Sequence, residues 1–120
     1  MARFDSATLD ALGEAHEVAV RTGKHPDTAV VIWVAVAGGD VFVRSARGAR
    51  GRWYRDLVED PMAVLEVAGR QLAVRATPAG DPQSIERGSR AYLKKYAPSP
   101  YAKSIVQPEI LATTLRLDPR

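Results

Sequence analysis

Residues Thr28 to Ala37 read TAVVIWVAVA, a run in which β-branched and apolar side chains occupy both parities. A strand with one wet face alternates apolar and polar residues, so this run predicts a central strand covered on both faces or set in the wall of a closed barrel. Its apolar part, Ala29 to Ala37, is nine residues long. That is short of the roughly 18 to 20 residues a membrane-spanning helix needs, so no membrane span is expected.

The rest of the chain supplies short strands around this one. Asp5 or Ser6 predicts the cap of a brief helix ending near Gly13, with Leu9 and Leu12 on one side. Val18 and Val20 alternate with Glu17, Ala19 and Arg21, which predicts a strand running into a turn at Thr22 to Asp27. Gly38-Gly39-Asp40 predicts a hairpin into Val41 to Ser45. Trp53 to Val58 reads as one or two helical turns ending near Pro61, and Met62 to Ala68 with Gln71 to Thr77 as a second hairpin. Asp81-Pro82 opens a helix through Tyr96, a short helical piece follows over Tyr101 to Val106, and Leu111 to Leu117 closes the chain as a strand. About six strands with two or three peripheral helices describe a mostly β antiparallel fold, a small closed or partly closed barrel. The absence of βαβ alternation argues against a dinucleotide-binding fold of the Rossmann type.

At 120 residues, 46% apolar and 26% charged, the chain has the length and balance of one folded domain, residues 1–120. The first residues carry no apolar stretch with a cleavage site, which predicts a cytoplasmic protein. The formal charge of +3 is local: Arg44 to Arg55, RSARGARGRWYR, holds five arginines and no acid, and the remainder holds 12 basic against 14 acidic residues. A polymer of phosphates is bound by cations spread along a face, so one basic loop in a slightly acidic chain suits a compact anion better than a nucleic acid. A glycine-containing loop turns backbone N–H groups toward an anion, and arginine adds planar bidentate donors. Arg47, Arg50 and Arg52, with Ser45 and Gly48, are therefore candidate phosphate ligands, and Trp53 with Tyr54 a candidate flank for a ring. The plain alternative is that the arginines are solvated or paired with Asp56, Glu59 and Asp60, and that Trp53 plugs a barrel end. Trp33 and Tyr101 read as packing residues. His16 and His25 lack metal-ligand spacing, and no cysteine, nucleophile elbow or Walker loop is present.

Residues 31–78, VIWVAVAGGDVFVRSARGARGRWYRDLVEDPMAVLEVAGRQLAVRATP, resemble the core of the flavin- and deazaflavin-binding split-barrel proteins, the superfamily of pyridoxamine phosphate oxidase and the deazaflavin-dependent nitroreductases. With YLKKYAPSPYAKSIV and the ending TTLRLDPR, the whole chain resembles an uncharacterised bacterial family grouped with them. The resemblance implies a six-stranded antiparallel split β-barrel with peripheral helices. It also implies FMN or a deazaflavin as cofactor, hydride transfer to a small organic substrate, and a homodimer with its site between two chains. It places Arg21, Thr22 and Lys24 beside the Ser45 to Arg52 loop at the cofactor phosphate, with no side chain assigned a catalytic role. The Arg21 to Pro26 turn keeps the cations and departs from the nitroreductase pattern, which motivates a second reading, a ligand-binding or sensor barrel without the cofactor. RNA binding through RGARGR is a third.

Overall fold

The structure, a computed structural model, describes residues 3–120. Helix α1 (Ser6–Glu14) is capped by Asp5, whose carboxylate accepts from the Thr8 N–H at 2.8 Å. Strands β1 (Val18–Thr22) and β2 (His25–Ile32) form the first hairpin, with Gly23-Lys24 at its tip. Strands β3 (Ala35–Ala37) and β4 (Asp40–Val43) form the second. A 3₁₀ turn (Gly48–Arg50) leads into α2 (Arg52–Glu59), and β5 (Met62–Val67) and β6 (Arg70–Pro78) make the third hairpin. Helix α3 (Pro82–Lys95) starts as its sequence signals: Asp81 accepts from the Ser84 N–H at 3.0 Å and proline takes the first turn. A 3₁₀ segment (Ala102–Val106), the short α4 (Pro108–Leu111) and β7 (Leu115–Pro119) complete the chain. Among the described residues no helix is long and apolar enough to cross a membrane.

All seven strands lie in one antiparallel sheet of order β2-β1-β5-β6-β7-β4-β3. The mostly β, split-barrel class expected from the sequence holds, with seven strands in place of six. The difference comes from TAVVIWVAVA. Its first part pairs with β1 (Val18↔Ile32, Val20↔Val30) and its last part with β4 (Ala35↔Phe42, Ala37↔Asp40), so one apolar run contributes both edges of the sheet. Only Trp33 and Val34 separate those edges, a reach of about 11 Å at ~3.8 Å per Cα step, and the sheet curls into a half barrel to allow it.

The expectation of a central strand covered on both faces is thus corrected. Strand β2 is an edge strand exposed along most of its length, with Val31 60% exposed. The strand buried on both faces is β4: Val41 and Val43 point into the inner core with Leu12, Val20, Leu65 and Leu117, while Phe42 points out to Tyr92, Ile105 and Ile110. The closing strand likewise shifts, because Pro108 to Leu111 turns once as helix before β7 begins at Leu115.

At the Trp33–Val34 corner the backbone leaves the ladder, and its polar groups find side chains instead. The Val34 N–H donates to the Tyr96 hydroxyl at 3.2 Å, and that hydroxyl donates to the His16 carbonyl at 2.7 Å. Lys95 Nζ donates to the Val34 carbonyl at 2.9 Å and to the Leu12 carbonyl in the last turn of α1 at 3.0 Å. Tyr92 reaches the Trp33 and Phe42 carbonyls at 3.3 and 3.2 Å.

Burial pushes the Lys95 ammonium down from 10.5 to about 8. An unfolded chain therefore holds a proton between about pH 8 and pH 10.5 that the folded chain has released, and stability gains from this group as pH rises through that window. The unfolding free energy of the wild type relative to Lys95→Met is expected to increase from pH 8 to 10.5 in denaturant titrations. Parallel pH dependences in the two proteins would rule this out.

Candidate functional site

A cleft of about 520 Å³ opens at the corner. One wall is the end of β2 and the corner itself, Val30 to Trp33. Opposite lie Ala46, Arg47 and the start of α2, Gly51 to Trp53, and the rim is completed by Tyr101, Ser104 and Ile105. The cleft is therefore apolar along the strand and basic at the arginine loop, with Glu17 at its edge.

Two backbone features shape that loop. Gly48 has φ +64°, a conformation side chains disfavour, and closes a turn in which its N–H donates to the Ser45 carbonyl at 2.9 Å. Gly51 is a close approach: a Cβ there would overlap the Ser45 hydroxyl. The Ser45 N–H donates to Thr113 Oγ1 at 2.9 Å, while its hydroxyl is fully buried with no partner among the described residues. Gly51 also precedes α2 without a side-chain cap, so the first N–H groups of α2 are turned to the loop side.

The arginines are satisfied in different ways. Arg44 is 2% exposed, and its donors go to neutral groups: Nε to Thr114 Oγ1 (2.9 Å), Nη1 to Ser89 Oγ (3.0 Å) and the Ile105 carbonyl (3.2 Å), Nη2 to the Ile85 carbonyl (2.9 Å). Its guanidinium lies 5.3 Å from the centre of the Tyr92 ring. Burial pushes its pKa down, yet a guanidinium stays charged near neutrality, so Arg44 is a fixed cation behind the cleft with no carboxylate on it among the described residues. Arg52 is paired with Asp56, whose Oδ2 also accepts from the Thr22 hydroxyl at 2.8 Å and meets His25 Nδ1 at 2.7 Å. Burial alone would raise the Asp56 pKa. The hydrogen bonds from Thr22 and His25 and the charges of His25 and Arg52 outweigh it, and the carboxyl sits below the usual range. Arg47 and Arg50 are exposed and make no ion pair among the described residues.

Of the residues singled out in the sequence, Arg47, Arg52 and Trp53 line the cleft. Ser45 and Gly48 lie buried beneath the loop, and Arg50 is exposed outside the cleft lining. The Arg21 to Lys24 turn does come beside the loop, joined to it through Asp56, but its own groups are occupied. Arg21 donates to Glu66 at 2.5 Å, Lys24 pairs with Glu59, and Arg21 and Thr22 line a separate groove of about 180 Å³. The sequence reading missed Arg44, Trp33, Tyr101 and Ser104 as cleft residues. Arg44 had a signal: it continues the parity of Phe42 in an apolar strand, where a charge must find partners on the packed helix face.

A family model described as "Uncharacterized protein conserved in bacteria (DUF2255)" matches residues 8–117. The chain belongs to this family. No curated protein matches this chain. Its fold does match solved structures. The heme binding protein from Mycobacterium smegmatis superposes with a TM-score of 0.63 at 15% identity, over 98% of this chain and 52% of that one. A protein assigned as a pyridoxamine 5'-phosphate oxidase from Listeria innocua gives 0.60 at 12% identity, over 95% and 90%. An F420 reductase gives 0.52 at 14%, over 92% and 91%. The DUF2255 chain spans about half the length of the heme binding protein and nearly all of the other two. At these identities the likeness is one of fold, and the fold is the split barrel of the pyridoxamine phosphate oxidase type.

The Ser45–Gly51 contact gives a direct test of the loop. Gly51→Ala is expected to destabilise by about 1–3 kcal/mol through overpacking, Ser45→Ala to cost nothing, and the double variant to recover most of the loss. Thermal unfolding of the four proteins measures this, and additive effects would contradict it.

Proposed function

We propose that the cleft holds a planar, phosphate-bearing redox cofactor, FMN or a deazaflavin, and that two copies of the chain build each site. The observation that carries the reading is the division of one cleft into an apolar strand wall and an arginine-bearing end at the start of α2. Arg47 is free to meet a phosphate, and Arg52 uses one donor on Asp56 and keeps the rest of its fork. The uncapped N–H groups of α2 and the fixed charge of Arg44 favour an anion at the same end. A volume of about 520 Å³ falls within the range of sites for small-molecule cofactors, roughly 300–1,000 Å³.

Such a cofactor supplies hydride chemistry when bound, and the chain's own groups hold, orient and desolvate it. Val30, Ile32 and Ile105 exclude water from the ring region, while the arginines hold the anionic end. Among the proteins of similar fold, one is an F420 reductase and one is assigned as a pyridoxamine 5'-phosphate oxidase, which supports this reading, while the heme binding protein shares with it only a planar ligand.

The dimer rests on β2. It is an edge strand with unpaired backbone groups on one side, it exposes Val31, and its end forms the cleft wall. Exposed apolar edges invite another chain, and a second copy laid on β2 would both cover that edge and deepen the cleft.

Titration of the protein with FMN and with a deazaflavin, read by difference absorption, is expected to give saturable binding to one of them. Arg47→Ala and Arg52→Ala should each weaken it about tenfold, the loss of one charge-assisted contact, while Arg50→Ala leaves it unchanged. Failure of both cofactors to bind would overturn the reading, and binding without reduction by a hydride donor would leave a binding protein in its place. Sedimentation equilibrium should give a dimer, and Val31→Lys a monomer with weaker binding. A monomeric wild type that binds cofactor fully would remove the second copy from the site.

A further inference from the structure

We infer that Trp33 is the surface on which the ligand's flat ring system stacks, so that the cleft selects a planar aromatic anion rather than phosphate compounds at large. This rests on the reading of the cleft as a cofactor site and assigns the ring's place within it.

Trp33 belongs to the corner between β2 and β3. The Tyr96 ring lies parallel to its indole, with centroids 3.9 Å apart and planes within 3°. Tyr96 is itself 2% exposed, with its hydroxyl fixed on the Val34 N–H and the His16 carbonyl. One face of the indole is therefore covered by an immobile partner. The His16 ring meets it edge-on, centroids 6.3 Å apart at 66°. Trp33 is nevertheless only partly buried, and it lines the cleft. Among the described residues no aromatic ring stacks on the face turned from Tyr96, and that is the face assigned to the ligand.

An indole so braced has already lost its rotamer freedom, so a ligand stacking on it orders little else. Trp53 offers no equivalent surface: it is 7% exposed and packs in the inner core with Leu57 and its neighbours. The cleft thus pairs a stacking plane at the corner with Arg47 and Arg52 at the loop. A ring-free phosphate compound leaves the indole in water, and a ring without an anion leaves Arg47 unpaired. Each half of the ligand contributes separately.

The test is calorimetric titration of wild type, Trp33→Phe and Trp33→Leu with three probes. These are FMN with ring and phosphate, riboflavin with the ring alone, and inorganic pyrophosphate with neither ring nor sugar. Trp33→Leu is expected to weaken FMN and riboflavin by a common factor of about ten or more, Trp33→Phe to keep most of both, and pyrophosphate to bind all three proteins alike. Undiminished binding of riboflavin and FMN by Trp33→Leu would overturn the inference. So would an equal loss of pyrophosphate, which marks a disturbed fold. If the wild type binds riboflavin as tightly as FMN and ignores pyrophosphate, the phosphate half of the cofactor reading fails while the stacking surface stands. If it binds pyrophosphate and neither ring compound, the stacking surface fails while the anion end stands. Binding of none of the three, together with no binding of a deazaflavin, defeats both.

Discussion

The hydrogen bonds that Tyr96 and Lys95 make to the Val34 backbone hold the architecture together at its weakest point. A sheet whose two edges are joined by two residues must turn a corner there, and a corner in the ladder strands an N–H and a carbonyl that cost free energy if left unmet. The chain meets them from the C-terminal end of α3, sixty residues on, and the same helix end reaches the last turn of α1 through Lys95. One helix terminus thereby ties the first helix, the corner and the outer core. It also braces the ring of Trp33 at the mouth of the cleft, so the element that closes the barrel is the one that shapes the site.

This explains which parts of the fold were legible in the sequence. The caps at Asp5 and Asp81 are local chemistry, with donor and acceptor three residues apart, and they are where the sequence places them. The hairpins at Gly38-Gly39 and Ala68-Gly69 are equally local. The split of TAVVIWVAVA was not legible, because nothing within the run marks Trp33–Val34 as the break. The marks are Tyr92, Lys95 and Tyr96, whose relevance depends on α3 packing across β3. A pattern apolar at both parities signals burial on two faces, but it signals equally an edge strand whose apolar side faces a cleft or a second chain. Periodicity cannot tell these apart.

The site divides along the same line. Arg47, Arg52 and Trp53 sit on the cleft as a contiguous basic stretch next to a short helix would suggest. The Arg21 to Lys24 turn arrives at the same place, yet Asp56 stands between the two and absorbs Thr22, His25 and Arg52 on one oxygen. Counting charges along the chain finds the basic excess but not its distribution. Glu59 and Glu66 neutralise Lys24 and Arg21 from elements that are remote in sequence.

Net charge is therefore a poor guide to where an anion would settle. Arg44 is a better one, because its guanidinium is solvated by hydroxyls and carbonyls alone and carries an uncancelled charge into low dielectric. Burying a cation this way is unfavourable unless its donors are met, and here they are met by α3, the 3₁₀ segment and Thr114 just before β7 at once. The charge then cannot be screened by side-chain rearrangement. Its field extends into the cleft it lines, which Arg47 and Arg52 line as well. Arg50 adds one more cation to the sequence, but it lies outside the lining, where solvent screens it. The basic loop thus matters less for how many arginines it holds than for which of them share an enclosed space with Arg44.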